Sequence, residues 1–315
     1  NGHTFPFNDG MVNREEWEEH VTSFSKECYF LPEEIITDEY NWTHPGMKGL
    51  KQNQKVNSDS HGTVYLHRDH YGTEASGKFF NQIRKEELLA REHIYQGTSD
   101  ISTLQTGQTF TLKDHFRHDW NQDYFITKIE YRGGESSDTN SFTAIPAKTK
   151  FRPRRITPIP RIEGVLYAHI DSSTEDTYAD IDENGMYHLK FCFDSTRDEK
   201  EKQKGKGSRL VRMAQSYGGS GMGMHFPLHE KTEVIVAFIG GDPDRPIIVG
   251  AVPNRNTDSP VIHKNHTQAR ITSPGSSEIN IQNQEDNESI EMRMRKKGQA
   301  FIRIGNHKKV MKKKG

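Results

Sequence analysis

Cysteine and long apolar runs are what this sequence has least of. Cys28 and Cys192 are its two cysteines among 315 residues, and they lie far apart without a CxxC pair. This spacing excludes a disulfide framework and a four-thiolate zinc site. No apolar run approaches the roughly 20 residues that a transmembrane helix requires. We therefore expect no such helix.

Hydrophobic residues are also scarce, at 31% of the chain, and neither sign of charge dominates. With 43 basic and 44 acidic residues, the net charge of the chain is close to zero, so charge gives no reason to expect nucleic acid or a membrane as a partner. Aromatic residues still make up 10%, which argues against disorder. A polar but ordered chain of this length fits an elongated or oligomeric protein with two or three domains.

The first segment, residues 1–158, combines one helix with strands. Helical spacing predicts the helix over residues 78–95. Its buried stripe is formed by Phe79, Phe80, Ile83, Leu88, Leu89 and Ile94. Alternation of apolar and polar residues predicts strands at 109–112 and 123–131. Residues 152–160 contain three prolines and no periodic pattern, so we interpret them as an interdomain linker.

The second segment, residues 161–254, consists of short strands separated by turn signals. Residues 165–169 and 187–193 alternate between apolar and polar side chains. About five strands fit into this segment, and that spacing predicts a small closed barrel. The charged run at 194–208 is expected to be a solvated loop.

One hairpin of this barrel, residues 233–254, is apolar on both faces of its two arms. One face can line the barrel, and we expect another subunit or a neighbouring domain to cover the other. In the turn, Asp242 is predicted to cap backbone amides and Arg245 to pair with a neighbour. The residues that define the hairpin are Gly241, Asp242, Pro243, Arg245, Pro246, Gly250 and Asn254.

The last segment, residues 256–315, carries strands whose thin apolar stripe alternates with charge. These stripes are too small to build a core of their own, so the strands need partners. Winding with copies of the same chain into a shared β-helix would bury the stripes at the axis. The predicted trimer core consists of Ile279, Ile281, Ile290, Met292, Met294, Ile302 and Ile304.

One stretch matches a phosphate-binding loop in all but its last position. Residues 72–78, GTEASGK, follow a strand-like segment and open the predicted helix. Phe79 stands where serine or threonine would ligate Mg²⁺, and we assign it to the buried stripe. A P-loop-like nucleotide-binding protein that uses the loop from Gly72 to Lys78 is the first alternative function.

Other patterns that resemble sites have simpler explanations. Residues 180–185 copy the first half of a calcium loop, but Phe191 occupies the position of its bidentate glutamate, which favours a hairpin turn. Surface positions are expected for two histidine pairs without a third ligand nearby, His67 with His70 and His115 with His118. We predict no catalytic, cofactor or metal site.

The second alternative function is a module of the oligosaccharide/oligonucleotide-binding (OB) type that binds oligonucleotide or glycan. Such a site needs exposed aromatic residues beside a basic groove. Phe191, Phe193 and Phe238 are the aromatic candidates in the barrel segment, and we assign all of them to its core.

Four ordered stretches carry a family resemblance. They are DENGMYHLKFCFD at 182–194, RLVRMAQSYGG at 209–219, FPLHEKTEVIVAFIGGDPDRPIIVGAVPN at 226–254 and RITSPGSSEINI at 270–281. In order and spacing they resemble the VgrG family, the spike proteins of bacterial type VI secretion systems, related to the hub and spike of contractile phage tails. TGQTFTL at 106–112 resembles the end of the family's hub module, and Lys231 stands where glycine is expected.

The resemblance implies a mainly β fold in three parts. Residues 1–158 correspond to a partial phage-hub-like domain, a β-barrel segment with one helix. Residues 159–255 correspond to an OB-fold barrel, and residues 256–315 to the start of a C-terminal trimeric β-helical needle. Only residues 255–269 separate Asn254 from Arg270, the end and the start of two stretches that carry the resemblance, which leaves no room for the lysozyme domain that a phage spike can carry there.

The implied function is mechanical and not enzymatic. A homotrimeric spike of this family punctures a target membrane transiently and carries effectors. Its implied partners are an Hcp tube hexamer, a PAAR tip protein and the effectors, with no nucleic acid and no cofactor. It is assembled in the bacterial cytoplasm and then secreted through the type VI system without a signal peptide.

Overall fold

The computed structural model describes residues 3–10, 19–47, 49–133, 139–173, 178–194, 205, 207–294 and 300–305. The chain divides into two compact units, Asn1–Thr157 and Pro158–Gly315. A further division of the second unit near residue 255 stays a prediction.

The first unit contains a β-barrel and an inserted subdomain. Its elements are β1 (His3–Pro6), β2 (Val21–Cys28), β3 (Glu34–Asp38), β4 (Gln52–Lys55), β5 (Thr63–His67), α1 (Glu74–Leu89), β6 (His93–Ser99), β7 (Thr109–Lys113), β8 (Asp123–Arg132) and β9 (Thr139–Pro146). Six strands form one sheet in the order β1-β7-β8-β9-β6-β2. A parallel bridge between Phe7 and Val21 joins its two edges, so the sheet closes into a barrel.

The barrel core is built mainly from aromatic rings. Strands β7 and β8 lie where alternation predicted strands, and their inward positions are filled by Phe110, Leu112, Tyr124 and Ile126. Gly97 of β6 lies directly under the ring of Phe142, which leaves no room for a Cβ atom. The complete buried cluster is Phe5, Val21, Tyr95, Ile101, Leu104, Phe110, Leu112, Trp120, Tyr124, Ile126, Phe142 and Ala144.

The inserted subdomain lies between two adjacent barrel strands, β2 and β6. It is a three-stranded sheet of order β4-β3-β5 with α1 packed on β3 and β4. Its core is small and consists of Leu31, Ile35 and Val56, with Leu88 and Leu89 of α1 against it. The amide of Tyr29 donates to the carbonyl of Glu92 at 2.9 Å, which closes the base of the insert.

Helix α1 begins at Glu74 and not at Lys78, and it ends at Leu89 because residues 93–99 form β6. Thr73 caps its first turn, and the Thr73 hydroxyl accepts a hydrogen bond from the Ser76 amide at 3.2 Å. The cap lies where the sequence resembles a phosphate loop, and it sets the start of the helix four residues before the predicted one.

The predicted stripe of α1 is only partly correct. Leu88 and Leu89 pack against the insert core, but Phe79 is 62% exposed. The buried face consists of Gly77, Asn81 and Glu86 instead. Asn81 is buried because its amide donates to the Thr37 hydroxyl and the Gln52 carbonyl. Polar side chains that find partners therefore replaced the expected apolar face.

The second unit begins with a smaller barrel. The strands of this region are β10 (Val165–Asp171), β11 (His188–Phe191), β12 (Arg212–Met213), β13 (Gly218–Gly219), β14 (Met222–Gly223), β15 (Glu233–Phe238) and β16 (Pro246–Ala251). Strands β13 and β14 pair with each other in a separate two-stranded sheet. The other five form a sheet of order β11-β10-β15-β16-β12. An antiparallel bridge between Tyr187 and Val211 connects its two ends and closes the barrel. The described part of the charged run, Asp194, Gly205, Gly207 and Ser208, lies outside these strands, and the remainder falls outside the described residues.

The barrel core follows the predicted alternation. Buried side chains come from alternate positions of β10, β11, β15 and β16, namely Ala168, Ile170, Leu189, Val234, Val236 and Ile248. In the turn before β15, Lys231 has φ of +66°, a left-handed conformation that favours glycine. This backbone explains why glycine is the expected residue at that position.

The second unit ends in a four-stranded antiparallel sheet, called here the C-terminal sheet. Its strands, in spatial and chain order, are β17 (Gln268–Thr272), β18 (Ser277–Gln282), β19 (Ser289–Met294) and β20 (Ala300–Gly305). Among the described residues, no helix is both long enough and apolar enough to span a bilayer.

His115 generates a prediction about acid stability. Its ring is 2% exposed and packs on Phe7, Phe116 and Trp120 at centroid distances of 4.3, 4.2 and 4.8 Å. Its Nδ1 accepts a hydrogen bond from the Arg117 amide at 3.0 Å. Burial lowers the pKa of His115 below its usual value, so the folded state holds the neutral ring.

Because the unfolded chain binds the proton more readily, this contribution to stability is complete above about pH 6.5 and is lost as the pH falls toward the lower pKa of the folded state. We expect His115→Phe to reduce the difference in unfolding free energy between pH 8 and pH 5 by about 1 kcal/mol. Urea unfolding at both pH values measures it. The exposed His118→Gln serves as control, and an unchanged difference in His115→Phe would contradict the prediction.

Candidate assembly surface

The two-faced hairpin is formed by β15 and β16. Its inner face, Val234, Val236 and Ile248, is fully buried in the barrel. Its outer face continues onto β10, where Val165 and Tyr167 are each about half exposed. Within its own unit the outer face is thus only partly covered, as the sequence indicated.

The hairpin turn is organised around the carboxylate of Asp242, which is buried. Its Oδ1 accepts a hydrogen bond from the Asp244 amide at 3.0 Å, and its Oδ2 lies 3.2 Å from Nε of Arg245. Gly241 has φ of +75°, which disfavours other residues. Pro243 lies within the turn and Pro246 begins β16. One carboxylate therefore fixes both the turn and the arginine beside it.

Asn254 secures the far end of the hairpin. Its side-chain amide donates to Oε2 of Glu233 at 2.7 Å, and its Oδ1 accepts from the amides of Asn256 and Thr257. Gly250 lies opposite Ile235, where a register shift interrupts the ladder. Nothing in the structure explains a need for glycine there, because a Cβ at Gly250 would meet no atom within 4 Å.

The C-terminal sheet has one face made almost entirely of apolar side chains. Antiparallel register places Ile279 opposite Met292 and Met292 opposite Ile302. In the same way Ile281 lies opposite Ile290 and Ile290 opposite Ile304. The apolar face, as the term is used below, consists of Ile271, Ile279, Ile281, Ile290, Met292, Met294, Ile302 and Ile304.

This apolar face is largely exposed within the single chain. Ile302 and Ile304 are 63% and 69% exposed, and Ile290, Met292 and Met294 are about half exposed. A contiguous set of large apolar side chains in water marks an interaction surface. All seven residues predicted for the trimer core lie on this face, and their role in a trimer stays a prediction.

The opposite face of the C-terminal sheet is charged, and the chain buries it. Glu278 and Glu291 are almost inaccessible. The guanidinium of Arg293 contacts Glu278 at 3.7 Å and also pairs with Glu291, and Nε of Arg303 lies 3.0 Å from Oε1 of Glu291. The pairs of Arg293 with Glu278 and of Arg303 with Glu291 cross between neighbouring strands, and the pair of Arg293 with Glu291 lies within β19. The cross-strand pairs therefore favour the one register that keeps the apolar side chains together on the other face.

A groove of about 620 Å³ adjoins the apolar face. Met292 and Ile302 line one side of it, and Tyr178, Phe226 and Pro227 of the barrel segment line the other. The exposed apolar surface thus continues from the C-terminal sheet onto the end of the barrel.

Residues 72–78 form the start of α1. The Ser76 amide is already bonded to Thr73, and Lys78 pairs with Glu74 one turn earlier, with Nζ and Oε1 at 2.6 Å. Gly77 packs against the ring of Tyr71. The glycine and the lysine therefore have structural partners within the insert.

Residues 180–185 form a turn. Oδ1 of Asp182 accepts hydrogen bonds from the amides of Asn184 and Met186 at 3.0 and 2.8 Å, and these bonds lower its pKa although burial opposes the shift.

Of the histidines, His115 is buried, so its predicted surface position is wrong. His115 is buried because aromatic rings pack around it in the folded chain, and a local sequence pattern does not predict such packing.

The aromatic residues of the barrel are divided between core and surface. Phe191 and Phe238 pack against the core, but Phe193 is 70% exposed and stacks on Phe191 at 5.2 Å. The predicted core position of Phe193 is therefore wrong, because it follows the end of β11 and no longer faces inward. Nearby lysines of the charged run lie outside the described residues.

Two protein families match consecutive parts of the chain. Residues 1–137 match the phage tail baseplate hub (GPD) family, and residues 180–252 match the type VI secretion system/phage-baseplate injector OB domain family. A hub barrel followed by an injector OB barrel defines the hub and spike proteins of phage-tail-like injection machines.

Named relatives show which hub and spike proteins the chain resembles. The type VI secretion system spike protein VgrG3 of Vibrio cholerae is 30% identical over 251 residues, which cover 74% of this chain and 24% of VgrG3. The actin cross-linking toxin VgrG1 of Vibrio cholerae is 27% identical over 290 residues, which cover 85% of this chain and 26% of VgrG1. The chain spans about a quarter of the length of these relatives. It belongs to the VgrG family of spike proteins.

A solved structure, the Francisella PdpA–VgrG complex in its half-lidded form, shares the fold. The TM-score is 0.50 at 9% identity, and the match covers 89% of this chain and 52% of that chain. The fold is therefore mainly β, with a hub-type barrel that carries one helix and an OB-fold barrel.

Asp242 generates a prediction about the hairpin. We expect Asp242→Ala to lower the unfolding free energy by about 1–3 kcal/mol, because it removes the turn cap and leaves Arg245 without this carboxylate. Asp242→Asn keeps an acceptor for the Asp244 amide and should cost less. Urea unfolding together with hydrogen exchange of peptides covering 239–248 measures both, with the exposed Asp258→Ala as control. Equal effects of the alanine and asparagine variants would disprove the capping role.

Proposed function

We propose that this chain is a structural part of a type VI secretion spike that works as a homotrimer. The exposed apolar face of the C-terminal sheet is the observation that supports this most directly. The two matched families and the named spike relatives support the same function.

Burial of the apolar face by copies of the same chain is the simplest physical solution. Its cross-strand rows are regular in register and made of uncharged side chains, so an identical surface can pack against them. Burying one such isoleucine or methionine contributes on the order of 1.5–3 kcal/mol. In the proposed trimer the strands wind into a β-helical needle with these residues at the axis, which also covers the strand edges.

The outer face of the β15–β16 hairpin offers a second contact. It is partly exposed within its own unit, and an adjacent copy of the chain would cover it. In this proposal the barrels pack around the same axis as the needle.

The proposed role is mechanical. A rigid trimer driven along its axis punctures a target membrane and carries effectors. Family resemblance supports an Hcp tube hexamer behind the hub, a PAAR tip protein at the far end of the needle and secretion from the bacterial cytoplasm through the type VI system. The chemistry named for the toxin VgrG1 belongs to a relative of which this chain spans 26%, and we propose no enzymatic activity for this chain.

The oligomeric state tests the proposal. Sedimentation equilibrium of the purified chain is expected to give three times 36.2 kDa. Ile290→Asp should reduce the mass to that of one chain, because it places three carboxylates at a dry axis at a cost of several kcal/mol. Ile156→Asp, a change at an exposed isoleucine outside the C-terminal sheet, is the matched control.

The masses of the wild-type chain and of Ile290→Asp distinguish two ways in which the proposal could be wrong. A wild-type chain that is monomeric at all concentrations would contradict trimer formation by this chain. A trimer that persists in Ile290→Asp would show that the apolar face does not form its axis.

A further inference from the structure

Residues 150–155, which follow β9, lie along α1 and are attached to it by charge. Nε of Arg152 lies 2.8 Å from Oε2 of Glu86, and Nζ of Lys150 lies 3.1 Å from Oε1 of the same carboxylate. Gln82 also donates to this Oε1 at 3.0 Å. A single glutamate of the helix therefore binds two basic residues of the segment.

Arg155 provides a second attachment. Its Nη1 lies 2.9 Å from Oδ1 of Asp69, and its backbone amide donates to Oε1 of Glu87 at 3.2 Å. Arg84 of α1 bridges the same two carboxylates, at 2.8 Å from Asp69 and 3.2 Å from Glu87. The segment thus joins an ion network that the helix already contains.

The geometry makes these pairs stronger than ordinary surface ion pairs. Glu86 is 8% exposed, and Asp69 and Glu87 are nearly as well buried, so each carboxylate needs cations or donors around it. Burial alone would raise the pKa of Glu86, but hydrogen bonds from Gln82, Arg152 and Lys150 lower it to about 2. The carboxylate is therefore ionised at neutral pH.

Phe151 adds an apolar contact between the two attachments. Its ring lies 5.8 Å from that of Phe125 in β8, measured between centroids. Lys150 and Arg152 thus contact the helix, and Phe151 between them contacts the barrel. The segment connects the barrel to the insert and is not a free linker along this part.

We infer that residues 150–155 act as an ion-paired strap that keeps the start of the interdomain connector on the first unit. With the strap in place, the connector runs from residue 156 to residue 161, because the Ile162 amide donates to the Gly241 carbonyl at 2.8 Å in the second unit. Without the strap the connector would run from 150 to 161.

The strap therefore controls the reach of the connector. Six residues span at most roughly 20 Å and twelve at most roughly 40 Å when extended. The carboxylates are buried, but the side chains of Lys150 and Arg155 are 64% and 44% exposed, so salt screens these pairs in part. High ionic strength is therefore expected to lengthen the connector and low ionic strength to shorten it. This holds whether or not the chain forms a spike.

Limited trypsin digestion of the whole chain tests the strap. The Lys150–Phe151 bond lies inside it, whereas Arg152 precedes proline and is not a cleavage site. We expect Arg152→Gln to raise the rate of cleavage after Lys150 about tenfold, as loss of one charge-assisted hydrogen bond predicts. Arg154→Gln changes an exposed arginine of the same segment and should leave that rate unchanged.

Salt and a second variant complete the test. About 1 M NaCl should raise the wild-type rate and change Arg152→Gln little. Glu86→Gln should reproduce the Arg152→Gln result with new cleavage confined to residues 150–155. Equal rates in wild type and Arg152→Gln would overturn the inference. So would cleavage in both variants within α1, for example after Lys85, because these residues would then stabilise the whole unit and not the strap.

Discussion

The shortage of apolar cover for the C-terminal sheet is the constraint on which the rest of the second unit depends. A strand has two faces, and this chain supplies apolar side chains to one of them and charged side chains to the other. The described structure buries the charged face through cross-strand ion pairs and leaves the apolar face in contact with water. Within the described residues, the sheet therefore has a buried charged face and an uncovered apolar face.

The first unit meets a similar shortage in another way. Its barrel has a conventional aromatic core, but the insert has few apolar residues to hold α1. Buried polar groups take over this task, with Asn81 bonded to two neighbouring strands and Glu86 to the basic residues that follow β9. Partnered polar groups cost little when buried, and they fix geometry more sharply than apolar contacts do. The helix is therefore positioned by directional bonds.

Period-two alternation allowed correct prediction of strands, barrel positions and the two-faced hairpin, because these features depend on local residue order. The turn at Asp242 was predictable for the same reason. The exposure of Phe79 and Phe193 and the burial of His115 were not predictable in the same way, since they depend on tertiary packing. The start of α1 is set locally, by the cap that Thr73 provides for Ser76. Asn81 and Glu86 gave no apolar signal at all.

The closure of the insert at Tyr29 and Glu92 has a consequence for how the first unit can vary. The insert leaves the barrel at the end of β2 and rejoins it at the start of β6, and these two positions are neighbours joined by a hydrogen bond. The barrel therefore needs only a short connection at this point. The register of these two strands does not depend on what lies between them. Doubling the length of such an insertion costs only about 0.6 kcal/mol in loop-closure entropy. The barrel can therefore carry a different subdomain at this position while its own packing is preserved.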